Sequence, residues 1–306
     1  MSDGTLPAVA AAADAADTTG APVPGAAGDG GHPGGRRDPT RTWALPPVLT
    51  GALPMLREAE REARIWARLW HTSLLTGVLM PLLFLGAMGV GLGGLVDENS
   101  GTVEGVSYLV FVTPGILAAT TLQGASGESL WPVMAGIKWV KTFHAAAASP
   151  MSPGQVYGGW VTWVTVRLLI NATLFVIVAA LLGGVASWWA VTAPLAAALG
   201  GLAFAAPVTA YSAGRESDLS FSIIMRVAVT PMFLFSGTFF PIDQLPDWLQ
   251  PLARISPLWH AVELCRGATT GSITLAGAVV HVTFLVAIVL LGCWWGVRTF
   301  ERRLAP

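Results

Sequence analysis

His260, Glu263 and Arg266 recur at three-residue steps late in the stretch 235–267, FSGTFFPIDQLPDWLQPLARISPLWHAVELCRG. At that spacing the three side chains drift around one side of a short helix. An imidazole, a carboxylate and a guanidinium placed together can neutralise one another where single charges are costly to bury. Such a cluster can hold a segment closed or contact a polar substrate. Pro241, Pro246, Pro251 and Pro257 interrupt the stretch and prevent one long helix. Trp248, Asp243 and Asp247 make it too polar to cross a bilayer, and its leucines make it too apolar for an ordinary loop. Short helices dipping into a membrane face fit both facts. A second polar pair, Arg167 and Asn171, lies four residues apart within a strongly apolar run, marking either a substrate or subunit interface or a structural ion pair.

Two patterns imitate catalytic motifs. Gly89-Val90-Gly91-Leu92-Gly93-Gly94 has the G-x-G-x-x-G form, but it lies in an apolar run with no strand before it. Gly89 and Gly93 at four-residue spacing are better read as a close helix-packing face. Gly124-Ala125-Ser126-Gly127, with His281 in a late apolar run, resembles the serine and histidine of six-span rhomboid proteases. At 1.5 Å per residue the two side chains differ in membrane depth by roughly 15–20 Å, which excludes a catalytic dyad. The chain contains no G-x-x-x-x-G-K-[ST] and no His/Cys set at zinc spacing, so it has neither a P-loop nor a zinc site of its own.

Composition sets the elements that must position these residues. Hydrophobic residues make up 53% and charged residues 11%, outside the soluble globular range. The formal net charge of −1 offers no basic surface for nucleic acid. Residues 1–50, rich in Ala, Gly, Pro and Asp, are expected to be a disordered cytoplasmic tail. From Pro54 to His71, Leu56, Ala59, Ala63, Trp66 and Trp70 share one helical face, and Arg57, Arg61, Arg64 and Arg68 form another stripe. This is an amphipathic helix suited to the headgroup plane.

Six apolar runs follow, at about 72–95, 107–127, 155–182, 188–212, 219–240 and 274–297, each near the ~20 residues that span a bilayer. The first connector carries Asp97, Glu98 and Glu104 without a basic residue. Lys138, Lys141, Arg215 and the C-terminal Arg298, Arg302 and Arg303 mark the opposite side. The positive-inside rule then places both termini in the cytoplasm and the 241–273 segment outside. The expected architecture is an all-α polytopic membrane protein, with the membrane domain over 51–306.

Ser236-Gly237-Thr238-Phe239-Phe240-Pro241, Leu245-Pro246 and Pro257-Leu258-Trp259-His260-Ala261-Val262-Glu263-Leu264-Cys265-Arg266 resemble the signature of ABC-2 type transporter permeases. Thr230-Pro231-Met232 and Ala148-Ser149-Pro150-Met151-Ser152 fit the same pattern. The resemblance covers about 55–300 and is greatest to permeases of nodulation lipo-oligosaccharide exporters, then to daunorubicin-type drug exporters. It implies an amphipathic elbow helix, six transmembrane helices and a re-entrant helical hairpin before the last. It also implies export of a lipo-oligosaccharide, glycolipid or lipophilic drug across the bacterial cell membrane by two permease copies. A separate ATP-binding-cassette ATPase would bind ATP and magnesium, leaving this chain without a cofactor. That partner would dock on the second connector, at Trp131, Lys138, Trp139, Lys141 and His144. Pro241, Trp248, His260, Glu263 and Arg266 would belong to an external re-entrant lid, and Arg167 and Asn171 to the intramembrane wall. Lys138 departs from relatives that carry acidic residues nearby. A secondary transporter is the competing reading, although the midplane ionisable residues it would need reduce here to Arg167.

Overall fold

The computed structural model describes residues 47–68, 71 and 79–304. Residues 1–46 of the expected 1–50 tail and the expected start of the first span at 72–78 lie outside them, whereas residues 47–50, also expected in the tail, are helical. Within a bilayer no water serves the backbone, so helices that close their own hydrogen bonds are favoured. Among the described residues the chain is accordingly helical, with one isolated bridge between Val103 and Val106.

Helix α1, Pro47–Arg68, is the amphipathic segment and begins before the expected Pro54. Helix α2 covers 80–100 and has a π-helical stretch, Gly86–Leu92, between two α-helical ones. Helix α3 is Tyr108–Ser129, and a short helix α4, Thr142–Ala147, follows the connector. Helix α5 is Pro153–Leu181 and α6 is Ala193–Ala213. Helix α7, Leu219–Phe235, contains a second π-helical stretch, Ile224–Val229. Two short helices, α8 (Gln250–Ile255) and α9 (Pro257–Thr270), precede α10, Leu275–Leu304.

Among the described residues, five helical stretches are long and apolar enough to cross a membrane: 81–98, 108–139, 153–181, 188–213 and 275–304. Helix α7 is shorter, about 26 Å at 1.5 Å per residue. The fifth span was expected to run to Phe240, but it ends at Phe235. Gly237 turns the chain with φ +78, a left-handed conformation that ends the helix. Phe239 then folds back onto Phe84 and Phe233, with ring centroids 5.8 and 5.2 Å away. Hydropathy continues across this break although the helix does not.

The packing centre is α6, which touches α3, α5, α9 and α10. Its sequence, APLAAALGGLAFAAPVTAYSA, presents small side chains that let four helices approach closely. Tyr157 of α5 joins this centre through its hydroxyl, 3.2 Å from the Ala206 carbonyl and 3.3 Å from that of Gly292. By contrast α10 leaves Leu290, Leu291, Trp294 and Trp295 exposed, as suits a lipid-facing helix.

Helix α1 lies along α5. Ala59, Ala63 and Trp66 pack on the α5 side, and Trp66 meets Trp163 edge-on at 6.2 Å. Leu56, expected on that face, is half exposed, and the Trp70 side chain lies outside the described residues. Glu58 is buried against α5 and accepts two bonds from Arg61, at 3.1 and 2.6 Å. A Cβ at Gly159 would stand 2.7 Å from the Met55 carbonyl oxygen and 2.6 Å from Glu58 Cβ. At Gly158 it would meet only the Met55 side chain, sulfur first at 2.5 Å. A flexible thioether can move aside and a helix backbone cannot. Gly159→Ala is therefore expected to cost about 1–3 kcal/mol by overpacking, and Gly158→Ala distinctly less. Thermal unfolding of the two variants in detergent checks this order.

Candidate functional site

The segment following α7 returns toward the bundle without crossing it. Ser256 ends α8 and starts α9, with its hydroxyl accepting from the Leu258 amide at 3.2 Å. That hydroxyl also lies 3.0 Å from the Ser236 hydroxyl, tying the start of α9 to the end of α7. Pro257 occupies the first helical turn, where no amide hydrogen is needed, and Gly271 closes α9 in the left-handed region. Fourteen residues are too few to span a bilayer. Leu258, Ala261, Val262, Cys265 and Ala268 are buried, so α9 is wedged among α3, α6 and α10. Burial pushes the Cys265 thiol pKa well up, leaving it an inert apolar side chain.

The three titratable residues of α9 do not act as one cluster. Arg266 is buried and donates to Glu263 Oε1 at 2.8 Å and to the Gly237 carbonyl at 2.7 Å. Its guanidinium lies 4.3 Å from the centroid of the Phe111 ring on α3. Burial raises the Glu263 carboxyl pKa, and the Arg266 charge opposes that rise. His260 instead faces α10, its Nδ1 2.8 Å from Nδ1 of His281, where one ring donates and the other accepts. Phe284 stacks on His260 with centroids 3.9 Å apart. Burial first, then the neighbouring His281, lowers the His260 pKa to about 4. The imidazole thus bolts α9 to α10, and the Glu263–Arg266 pair bolts it to the turn after α7.

That turn is itself pressed on α3. A Cβ at Gly115 would stand 2.8 Å from Thr238 Cα, and the Tyr108 hydroxyl donates to the Phe239 carbonyl at 3.3 Å. Of the remaining expected lid residues, Pro241 is half-buried and Trp248 stands 76% exposed.

At the basic end of the bundle the second connector forms a short helix, Trp131–Met134, a π-helical turn, Ala135–Trp139, and α4. Two of its five expected docking residues are occupied within the chain. Trp131 packs edge-on against Phe221 at 5.8 Å, and Lys138 binds the backbone and carboxylate of Glu216. Glu216 also receives Arg303 at 2.5 Å, so one carboxylate joins the second connector, the turn after α6 and the end of α10. The bonds from Arg303 and Lys138 lower its pKa. Trp139, Lys141 and His144 are exposed.

Arg167 is ion-paired to Glu128 at 2.6 Å, which favours the structural role for that residue. Asn171, one turn further along α5, lines a groove shared with Gln123 of α3. The Ser126 hydroxyl is spent on the Leu122 carbonyl at 2.8 Å while His281 is bonded to His260, so no serine–histidine dyad forms. Gly89 is in tight contact with Leu109 of α3, as the packing reading of the glycine run requires. Among the described residues no three His, Cys, Asp or Glu side chains converge as a metal site. Sequence reasoning passed over Glu128, Glu216 and Gln123. Polar residues inside or beside apolar runs were the available signal, but their partners are 39 and 78 positions away and leave no local trace.

Residues 59–270, from the amphipathic helix through the end of α9, match the family model described as ABC-2 type transporter. The chain belongs to the ABC-2 type transporter family. It is 29% identical over 247 residues to "Nodulation protein J" of Rhizobium meliloti (strain 1021), covering 80% of this chain and 92% of that protein. It is 30% identical over 248 residues to the protein of the same name from Sinorhizobium fredii, at 80% and 91% coverage. "Inner membrane transport permease YadH" of Escherichia coli (strain K12) is 25% identical over 251 residues, at 78% and 90%. An ABC-2 permease is the membrane subunit of a transporter and is not itself catalytic.

Arg266 makes more contacts than Glu263, so Arg266→Gln should destabilise the fold by about 1.5–3 kcal/mol, the range for bonds to a charged group. Glu263→Gln should cost less, and thermal melts of the two variants compare them directly. His260 has a folded pKa lowered from 6.5 to about 4, so its unfolded form binds more protons between those values. Its contribution is full above pH 6.5 and is lost as pH falls toward 4. Urea unfolding across that window should show the decline, and His260→Phe should flatten it.

Proposed function

We propose that this permease works as a pair of copies powered by a separate ATP-binding-cassette ATPase, and moves an amphipathic substrate outward across the bacterial cell membrane. The observation that carries this reading is a family match running from the amphipathic helix through α9, in a chain with no P-loop. Association with an ATPase is what membership of the family implies. ATP and magnesium would sit on that partner, which supplies the chemistry this chain lacks. By the distribution of Lys and Arg, both termini and the second connector face the cytoplasm and α8 and α9 face outside.

Trp139, Lys141 and His144 are the exposed part of the second connector and would meet the ATPase, with Trp139 as an apolar anchor. Trp131 and Lys138 would act indirectly, by holding the connector on Phe221 and Glu216. The re-entrant pair α8 and α9 would form the outer lid, since its bolts join three different elements in the closed arrangement. ATP binding in the partner can shift this equilibrium only by favouring an alternative arrangement of the connector. Lipo-oligosaccharides, glycolipids and lipophilic drugs are the substrates proposed for this permease, on the family resemblance.

Co-expression with ATP-binding-cassette ATPases from the same organism tests the reading. One of them should co-purify with the permease, and transport into inverted vesicles should disappear when that ATPase loses its catalytic glutamate. Trp139→Ala should weaken co-purification about tenfold, as for an interface anchor worth ~1.4 kcal/mol or more. Transport that continues on an ion gradient alone would instead favour a secondary transporter.

A further inference from the structure

A groove of about 470 Å3 opens among α2, α3, α5 and α7. Most of its wall is apolar and includes the rings of Phe84, Phe175 and Phe233. Gln123 and Asn171 line it from α3 and α5, and neither side-chain amide bonds to any described residue. The neighbouring hydroxyls are committed elsewhere, Thr120 to the Ile116 carbonyl and Thr121 to the Leu117 carbonyl, each at 2.7 Å. Among the described residues, none of those lining the groove is charged. The guanidinium one turn from Asn171 is already paired with Glu128.

An amide at membrane depth without a partner is costly, because hydrocarbon can neither donate to its oxygen nor accept from its nitrogen. Two such amides on one groove call for a group that both gives and takes hydrogen bonds. Hydroxyl and amide groups do so, and the three rings offer apolar faces on which a ring-shaped polyol can rest. A phosphate or sulfate would require a free cation, and none lines the groove among the described residues. We propose that this groove binds the uncharged, hydroxyl- and amide-bearing head of the transported amphipath, with Gln123 and Asn171 as its hydrogen-bonding residues. The identity of the ligand as cargo rests on the transport reading above.

The test uses the full chain in phosphatidylcholine nanodiscs with two probes carrying the same diazirine near the head, a monoglucosyl diacylglycerol and a phosphatidylglycerol. The glucosyl probe should label peptides containing Gln123 and Asn171, and phosphatidylglycerol should label them weakly. Gln123→Leu and Asn171→Leu should each lower glucosyl labelling about fivefold, the loss of one hydrogen bond. Both should leave the melting temperature unchanged or raised, because leucine suits a lipid-accessible wall. Gly124→Leu should also reduce labelling by narrowing the groove, since a Cβ there meets only Leu168, at 3.7 Å. Equal labelling by the two probes, labelling indifferent to the leucine variants, or a fall in melting temperature on removing either amide would each overturn the proposal. If ATP-driven transport holds while the glucosyl probe misses the groove, this assignment alone fails. If transport proves independent of an ATPase, the function reading fails and the labelling still reports on the groove.

Discussion

A guanidinium buried on a helix too short to cross the membrane constrains everything around it. Arg266 cannot be left unpaired at that depth, because an uncompensated buried charge costs several kcal/mol. Its two terminal nitrogens are met by Glu263 on its own helix and by the Gly237 carbonyl after α7, its face lies over the Phe111 ring of α3, and its Nε has no hydrogen-bond partner among the described residues. Each contact fixes a different part of the chain. The Gly237 carbonyl is available because α7 stops at Phe235, and the turn that carries it settles on α3 where Gly115 lets Thr238 approach. The interruption of α7 and the close approach at Gly115 therefore belong with the arginine.

The opposite end is organised by exposed charge. Glu216 gathers Lys138 and Arg303 in open surroundings, where such pairs contribute little stability and break readily. The difference suits two tasks. The α9 end is bolted by partly buried contacts to α10 and to the turn after α7. The connector end is held by weak contacts that a docking partner can replace. Between them α6 and α3 form a core of small and buried side chains, and close-packed cores shift between discrete arrangements more readily than they deform.

Much of the architecture was legible in the sequence. Hydropathy located the apolar runs, three- and four-residue periodicity located α1, and the prolines marked the breaks between α8 and α9. Three features were not legible, each for a physical reason. The end of α7 was hidden because Phe239 and Phe240 keep the hydropathy high, although Ser236-Gly237 was the available break signal. His260 was grouped with Glu263 and Arg266 by spacing. Its true partner, His281, lies one helix further on and depends on how α9 turns into α10. The pairing of Arg167 with Glu128 required the rotation of two separate helices about their axes, which one sequence does not encode locally. Within the candidate site, residue types could be read from the sequence, whereas partners required the fold.

The most direct measurement of whether the bolted segment is a lid is an electron paramagnetic resonance distance in the assembled transporter. With the native cysteines replaced, nitroxide labels at Trp248 and Leu182, both exposed, report the segment against the end of α5. Adding ATP to a complex with a hydrolysis-deficient ATPase should shift the distance distribution. Arg266→Ala should populate the shifted distance without nucleotide. A distribution unchanged by ATP, and unchanged by loss of Arg266, would contradict the account.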